Sequence, residues 1–75
     1  MDYESYRKAL RPALAHYCEV YSTQAQLDGL LGGLGKKNLT PEAYFEAEAY
    51  VLKAAFGCVE AQIRQAQQEA VQKLE

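Results

Sequence analysis

Residues 40–56, TPEAYFEAEAYVLKAAF, contain the clearest fold signal in the chain. Thr40 is a preferred N-cap residue, and Pro41 suits the first position of a helix, where its missing N–H has no helical partner. No further proline follows, and helix-favouring Ala, Glu, Gln, Leu and Lys dominate to the last residue. The stretch therefore predicts that a helix begins at Pro41 and runs over about residues 41–74.

Apolar side chains recur along this predicted helix at alternating steps of four and three residues, the spacing of a coiled-coil seam. They are Phe45, Ala49, Leu52, Phe56, Val59, Ile63, Ala66 and Ala70. A second series with the same spacing lies nearly opposite and consists mostly of small residues. Its members are Ala43, Ala47, Tyr50, Ala54, Gly57 and Ala61. Either both faces contact neighbouring helices, or the alanines are present simply because they favour a helix.

The first half of the chain also has apolar residues at helical spacing, which predicts a helix over about residues 3–31. Pro12 predicts a kink or a short break there, because proline lacks an N–H and disfavours the α region at the preceding residue. Residues 29–41 hold four of the five glycines, which predicts a turn over about residues 32–40. The predicted fold is all-α, a single domain over residues 1–75 in which two antiparallel helices form a hairpin.

A chain of 75 residues forms one small domain, and a two-helix hairpin has only one interface to bury. The longer second helix would extend past the first and leave apolar side chains in water. We therefore expect two hairpins to pair as a four-helix bundle in a homodimer, or a different protein to cover the apolar face. Two cysteines, one histidine and no Cys-x-x-Cys are too few for a disulfide scaffold or a metal site, and no cofactor is expected.

Charge and hydropathy exclude two further classes of partner. A net charge of −2 and a pI near 5.3 argue against nucleic-acid binding. The small basic cluster of Arg7, Lys8 and Arg11 is too weak a signal to change this. No apolar run approaches the roughly 18 residues of a membrane span, and the chain opens without a signal peptide. We expect a cytoplasmic protein with neither nucleic acid nor membrane among its partners.

The titratable residues do not form a pattern typical of a catalytic site, so a non-enzymatic protein is expected. His16 is interpreted as a surface residue. The carboxylates at the start of the second helix indicate a solvated helix face; they are Glu42, Glu46 and Glu48. The hairpin would bring Cys18 within about one helical turn of Cys58. Three interpretations of this pair are open: buried free thiols, a disulfide, or a redox switch that would make the chain a small thiol-based redox or enzymatic protein.

Six tyrosines and two phenylalanines are many for so small a chain, and such side chains are favoured at protein interfaces. We predict a partner or dimer interface formed by Tyr3, Tyr6, Tyr17, Tyr21, Phe45, Tyr50, Leu52, Phe56, Val59 and Ile63. For Tyr17 and Tyr21, a position in the core is an equal alternative. The predicted function is a protein–protein interaction module of the chaperone or adaptor type. The alternative is a small inhibitor, encoded by a phage or mobile element, that masks a host protein.

The predicted layout has two long helices, a glycine-containing turn and a second helix that opens TPEAYFEAEAYVLKAAF. In this layout the chain resembles the small helical-hairpin co-chaperones of type III secretion needle subunits (the YscE-like group). In that group the second helix also tends to open with a proline followed three residues later by an aromatic residue, here Pro41 and Tyr44. The resemblance implies that an apolar helix face binds a secretion subunit and prevents its early polymerisation.

Overall fold

The structure is a computed structural model that describes residues 2–74, and these are all-helical, as predicted. Four helices lie in the one chain: α1 (Tyr3–Tyr17), α2 (Gln24–Lys36), α3 (Pro41–Phe56) and α4 (Glu60–Leu74). Each of the two long helices predicted from the sequence is therefore divided in two, and four helices replace the predicted hairpin. Within residues 2–74, no helix combines the length and the apolar character needed to cross a membrane.

The first break lies at residues 18–23 and not at Pro12, which is inside α1. Pro12 is exposed, so the helical carbonyl group that it leaves unpaired faces solvent, and the helix continues through it. α1 ends at Cys18, whose N–H donates to the Leu14 carbonyl at 2.8 Å. The next residue, Glu19, has a left-handed backbone with φ 55°. The break at Pro12, one of the two predicted alternatives, was wrong because an exposed proline on a long helix can be tolerated, and the kink stays a prediction.

The glycine-rich segment is helical, which contradicts the turn predicted over residues 32–40. α2 begins with a capping box, in which Thr23 Oγ1 accepts from the Gln26 N–H at 3.1 Å and Gln26 Oε1 accepts from the Thr23 N–H at 2.8 Å. Leu27 and Leu31 are fully buried on its inner face. Each glycine costs about 1 kcal/mol of helix stability relative to alanine, so the cap and the buried leucines outweigh that cost. The turn is reduced to residues 37–40.

The second long helix is interrupted at Gly57, where the sequence predicted a continuous helix. Gly57 caps α3 with φ 68°, and its N–H donates to the Lys53 carbonyl at 2.9 Å. This left-handed conformation costs little for glycine and considerably more for a residue with a Cβ, which explains why the helix stops there. The start of α3 is as predicted, since Thr40 Oγ1 accepts from the Ala43 N–H at 3.2 Å.

The four helices enclose one core. Each helix contacts the next along the chain, and α1 packs extensively against α4. The buried apolar residues are Tyr6, Leu10, Ala13, Leu14, Leu27, Leu31, Tyr44, Ala49, Leu52, Cys58, Ile63, Ala66 and Ala70. The accessible surface of 4652 Å² is close to the roughly 4,600 Å² that mass scaling gives for a folded monomer of 8.4 kDa. A homodimer is therefore not needed to complete the core, which corrects the reason for expecting one.

Candidate functional site

The predicted interface residues divide into buried and exposed groups. Tyr6, Leu52 and Ile63 are fully buried and belong to the core of the single chain, so they are not available to a partner of the folded protein. Four others are partly buried against the core: Tyr3, Tyr17, Phe45 and Phe56. The remaining three residues of the predicted set are strongly exposed: Tyr21, Tyr50 and Val59.

The core contains a polar cluster centred on Glu48. Its Oε1 accepts hydrogen bonds from the Tyr6 hydroxyl at 2.5 Å and from Gln67 Nε2 at 3.1 Å. Gln67 Nε2 also donates to the Phe45 carbonyl at 3.0 Å. Glu48 Oε2 and the Tyr44 hydroxyl are shielded from solvent and make no hydrogen bond among residues 2–74. The cluster therefore ties α1 and α4 to α3 through one carboxyl group.

Burial determines the electrostatics of this cluster. Removal from water raises the pKa of Glu48 above its ordinary value, and the hydrogen bonds from Tyr6 and Gln67 act in the opposite direction. Burial also raises the pKa of Tyr6, and the nearby Glu48 carboxyl adds to that rise. The prediction that Glu48 lies on a solvated face was wrong, because α3 turns residues 44, 48 and 52 inward. The shielded carboxyl group therefore connects α3 with α1 and α4 inside the core.

The two cysteines lie near each other, as predicted, although the two-helix hairpin behind that prediction is not formed. Cys18 is at the end of α1 and Cys58 in the connection from α3 to α4, close enough for the Cys58 thiol to affect the ionisation of Cys18. Both are free. Burial, together with the Cys58 thiol, raises the pKa of Cys18 to about 12. The thiolate form is therefore disfavoured near neutral pH, which fits buried free thiols better than a reactive cysteine.

Other candidates for chemistry are dispersed. His16 is exposed and its ring lies 4.6 Å from that of Tyr17, measured between centroids. Among residues 2–74, no group of three or more His, Cys, Asp or Glu side chains is placed to hold a metal ion.

The outward side of α3 is largely open to solvent, and α4 borders it at one edge through Glu60 and Arg64. We define the α3 outer face by its exposed residues Ala43, Glu46, Tyr50, Lys53 and Ala54. They occupy one stripe of the helix, since each lies three or four residues from another member of the set. Tyr50, 74% exposed, is the only large apolar side chain in the stripe, and small residues flank it. The small-residue series predicted from the sequence therefore begins on a solvent-exposed face, and Gly57 and Ala61 beyond α3 are exposed as well.

Charges of both signs lie on the α3 outer face. Glu46 accepts from Arg64 Nη2 at 2.6 Å, and its side chain is still 71% exposed. Lys53, in the last turn of α3, is also exposed. A shallow depression of about 150 Å³ lies between these two charges, with Tyr50 and Glu60 in its lining. The carboxylate of α3 thus lies towards the beginning of the helix and its ammonium group towards the end, with Arg64 and Glu60 of α4 at the edge of the face.

A second surface feature lies between α1 and the connection to α2. We call it the α1 groove, and it has a volume of about 660 Å³. It is lined by Lys8, Arg11, Pro12, Ala15, Val20, Tyr21, Ser22 and Thr23. Tyr21, Lys8 and Arg11 were noted in the sequence but not predicted to form one site, because the first helix was predicted to continue through the connection. The missed signal was the capping box Thr23-Gln24-Ala25-Gln26, which marks the start of a new helix.

Comparison of this chain with protein-family models, with curated proteins and with solved structures finds no match. The resemblance to needle-subunit co-chaperones stays a prediction from the sequence.

Proposed function

We propose that this protein is a non-enzymatic protein–protein interaction module of the adaptor or chaperone type, and that a second copy of the chain binds the α3 outer face. The observation that carries the proposal is Tyr50, a large aromatic side chain of α3 that stays 74% exposed. Aromatic side chains with a polar tip are enriched where protein surfaces meet.

The shape of the face suits a second helix. Ala43 and Ala54 lie on either side of Tyr50 and carry the smallest apolar side chains. Small side chains let two helix axes approach closely, because the interaxial distance depends on the residues at the contact. An aromatic ring flanked by alanine side chains can pack over the backbone of a facing helix.

The charges favour an antiparallel copy of α3 as the occupant. If two α3 helices cross antiparallel about a two-fold axis near Tyr50, Glu46 of each copy lies opposite Lys53 of the other. A two-fold contact repeats every pair, so two such attractions form at once. Parallel pairing would instead place like charges opposite each other, which is unfavourable. The same face thus supports one orientation of self-association.

The expected affinity is low. The face spans a single helix of 16 residues, which places the contact in the size range of weak and transient interfaces. Because the core of each chain is already complete, association joins two folded monomers. Such a contact is expected to assemble and dissociate readily, as an adaptor or chaperone requires.

Sedimentation equilibrium over a range of protein concentrations tests the proposal. The wild-type chain is expected to show a reversible monomer–dimer equilibrium. Lys53→Glu and Glu46→Lys should each reduce self-association, because each places like charges opposite one another across the two-fold axis. An equimolar mixture of the two variants should recover association, because the altered charges are then opposite in sign.

Tyr21→Ala is the matched control, since it removes an exposed tyrosine outside the α3 outer face and should leave the equilibrium unchanged. A wild-type chain that stays monomeric at millimolar concentration would contradict the proposal. Self-association in the charge variants as strong as in wild type, or no recovery in the mixture, would also contradict it.

A further inference from the structure

We propose that the α1 groove binds an acidic peptide segment of a protein partner that also presents an apolar side chain. This goes beyond self-association, because the α1 groove and the α3 outer face share no residue. It rests on two unpaired cations and an adjacent apolar surface that lie in one depression.

The positive charge comes from α1. Lys8 and Arg11 are three residues apart, so they lie on the same side of the helix, and both are exposed. Neither forms an ion pair within the described part of the chain. Their neighbour Arg7 differs, because its Nε donates to Asp28 Oδ1 at 2.9 Å and is thereby engaged within the fold. Lys8 and Arg11 are therefore the cations that a carboxylate from outside can reach.

The apolar part of the groove comes from both of its sides. Pro12 and Ala15 continue the stripe of Lys8 and Arg11 along α1, and Val20 lies across the groove in the connection to α2. Tyr21, beside Val20, is 92% exposed and is the most exposed large apolar side chain of the described residues. A ligand that inserts an apolar side chain here would bury Tyr21 as well, which is favourable by about 25 cal/mol for each Å² of apolar surface removed from water.

The pairing of charge with apolar surface distinguishes a peptide from a nucleic acid. Nucleic-acid binding draws most of its affinity from many phosphate contacts, whereas the α1 groove offers two cations on a chain with a net charge of −2. The field of the whole chain repels a long polyanion. A short acidic segment needs only two or three carboxylates near Lys8 and Arg11 and obtains the rest of its affinity from apolar contact.

Fluorescence anisotropy with a labelled synthetic peptide tests the inference. The probe is a short peptide in which glutamates flank a central phenylalanine. It is expected to bind saturably, and its affinity should fall as the salt concentration rises, because exposed charges are screened. The double variant Lys8→Glu with Arg11→Glu should weaken binding by about tenfold or more, and Tyr21→Ser should weaken it without changing the salt dependence.

The matched control is Lys36→Glu with Lys37→Glu, which changes the net charge by the same amount at two exposed lysines outside the groove. This variant should bind the probe within about twofold of wild type, because only overall charge differs. Circular dichroism of each variant verifies that it is folded. Absence of saturable binding, equal loss in both double variants, or equally tight binding of single-stranded oligothymidylate would each overturn the inference. Self-association of the Lys8 and Arg11 variant should stay at the wild-type level, so the α3 proposal and this one can fail separately.

Discussion

Two pairs of tyrosines in this small protein have opposite environments. Tyr6 and Tyr44 are fully buried between α1 and α3, while Tyr21 and Tyr50 are 92% and 74% exposed. The buried pair contributes to the core, and the Tyr6 hydroxyl donates to Glu48. The exposed pair makes no comparable contribution to the fold. A high tyrosine content is therefore by itself no evidence for an interface, because a tyrosine side chain can equally pack in the core.

The environment of each pair follows from what lies opposite it. The Tyr6 ring meets the rings of Tyr44 and Phe45 edge-on, with centroids 6.1 and 5.4 Å away. Tyr50 points away from the core, and Tyr21 lies in the connection between α1 and α2, where no helix covers it. Only another molecule can bury these two side chains further. The buried tyrosines should therefore govern stability, and the exposed ones should govern binding.

Truncation of the buried Tyr6 should have the largest effect on stability. Tyr6→Ala removes a fully buried ring and leaves Glu48 without its hydroxyl donor, so the free energy of unfolding should fall by about 3–5 kcal/mol. Tyr21→Ala and Tyr50→Ala should change it by less than about 0.5 kcal/mol. Urea denaturation followed by circular dichroism measures all three. Similar losses in the free energy of unfolding for Tyr6→Ala and Tyr50→Ala would contradict the distinction between buried and exposed tyrosines.

Removal of a single hydroxyl group gives a finer test. Tyr6→Phe keeps the ring and deletes the donor to Glu48, so the free energy of unfolding should fall by about 1–3 kcal/mol. Tyr50→Phe deletes an exposed hydroxyl and should have no measurable effect on stability. The same denaturation experiment applies. A neutral Tyr6→Phe would indicate that the bond between Tyr6 and Glu48 contributes nothing to the fold.

The buried carboxyl group should make stability depend on pH. Because burial raises the pKa of Glu48 in the folded chain, its contribution is complete below its unfolded pKa, near 4.5, and is lost as the pH rises through the folded value. Glu48→Gln removes this titration and preserves an oxygen acceptor for Tyr6 and Gln67. It should gain stability relative to wild type as the pH rises, by on the order of 1 kcal/mol at neutral pH.

Thermal unfolding of the two proteins between pH 4 and pH 8 measures this difference. Glu42→Gln is the matched control, because Glu42 is exposed in the first turn of α3, where a negative charge favours the helix. It should change stability little. If the difference between Glu48→Gln and wild type does not change with pH, the carboxyl group is not held in a low-dielectric site.

The helical class and the start of α3 could be predicted from local signals. Thr40 and Pro41 mark that start through the backbone groups of one helical turn, which requires no knowledge of the rest of the fold. Cys18 and Cys58 were also expected to lie close together, but that expectation used the register of a two-helix hairpin, and both residues instead lie in connections between helices. The start of α3 has a short-range physical cause, and the meeting of the cysteines does not.

Where the helices stop could not be derived from glycine content. Four glycines in residues 29–35 are helical because Leu27 and Leu31 are buried on the inner face of α2, which is a tertiary effect. The single Gly57 ends α3 because its backbone is left-handed, and neighbouring alanines on both sides give a helical pattern that conceals this. Position along the fold, not the number of glycines, decides where a helix ends.

The candidate surfaces were predicted in part. Tyr21, Tyr50 and Val59 were named from the sequence and are exposed, but Tyr6 and Glu48 were assigned to the outside and lie in the core. The inward face of α3 is set by how α2 and α4 pack on it. The predicted apolar seam includes Ala49 and Leu52, which are buried, but it omits Glu48 beside them. The apolar pattern alone does not show that this carboxyl group faces inward.

Tyr6 and Tyr44 belong to the core, whereas Tyr21 and Tyr50 are accessible from solvent. Nitration of the native protein with tetranitromethane, followed by mass spectrometry of its peptides, tests this most directly. Tyr21 and Tyr50 are expected to be nitrated first, and Tyr6 and Tyr44 only after denaturation. Nitration of Tyr6 or Tyr44 in the native protein as fast as that of Tyr21 would contradict the claim.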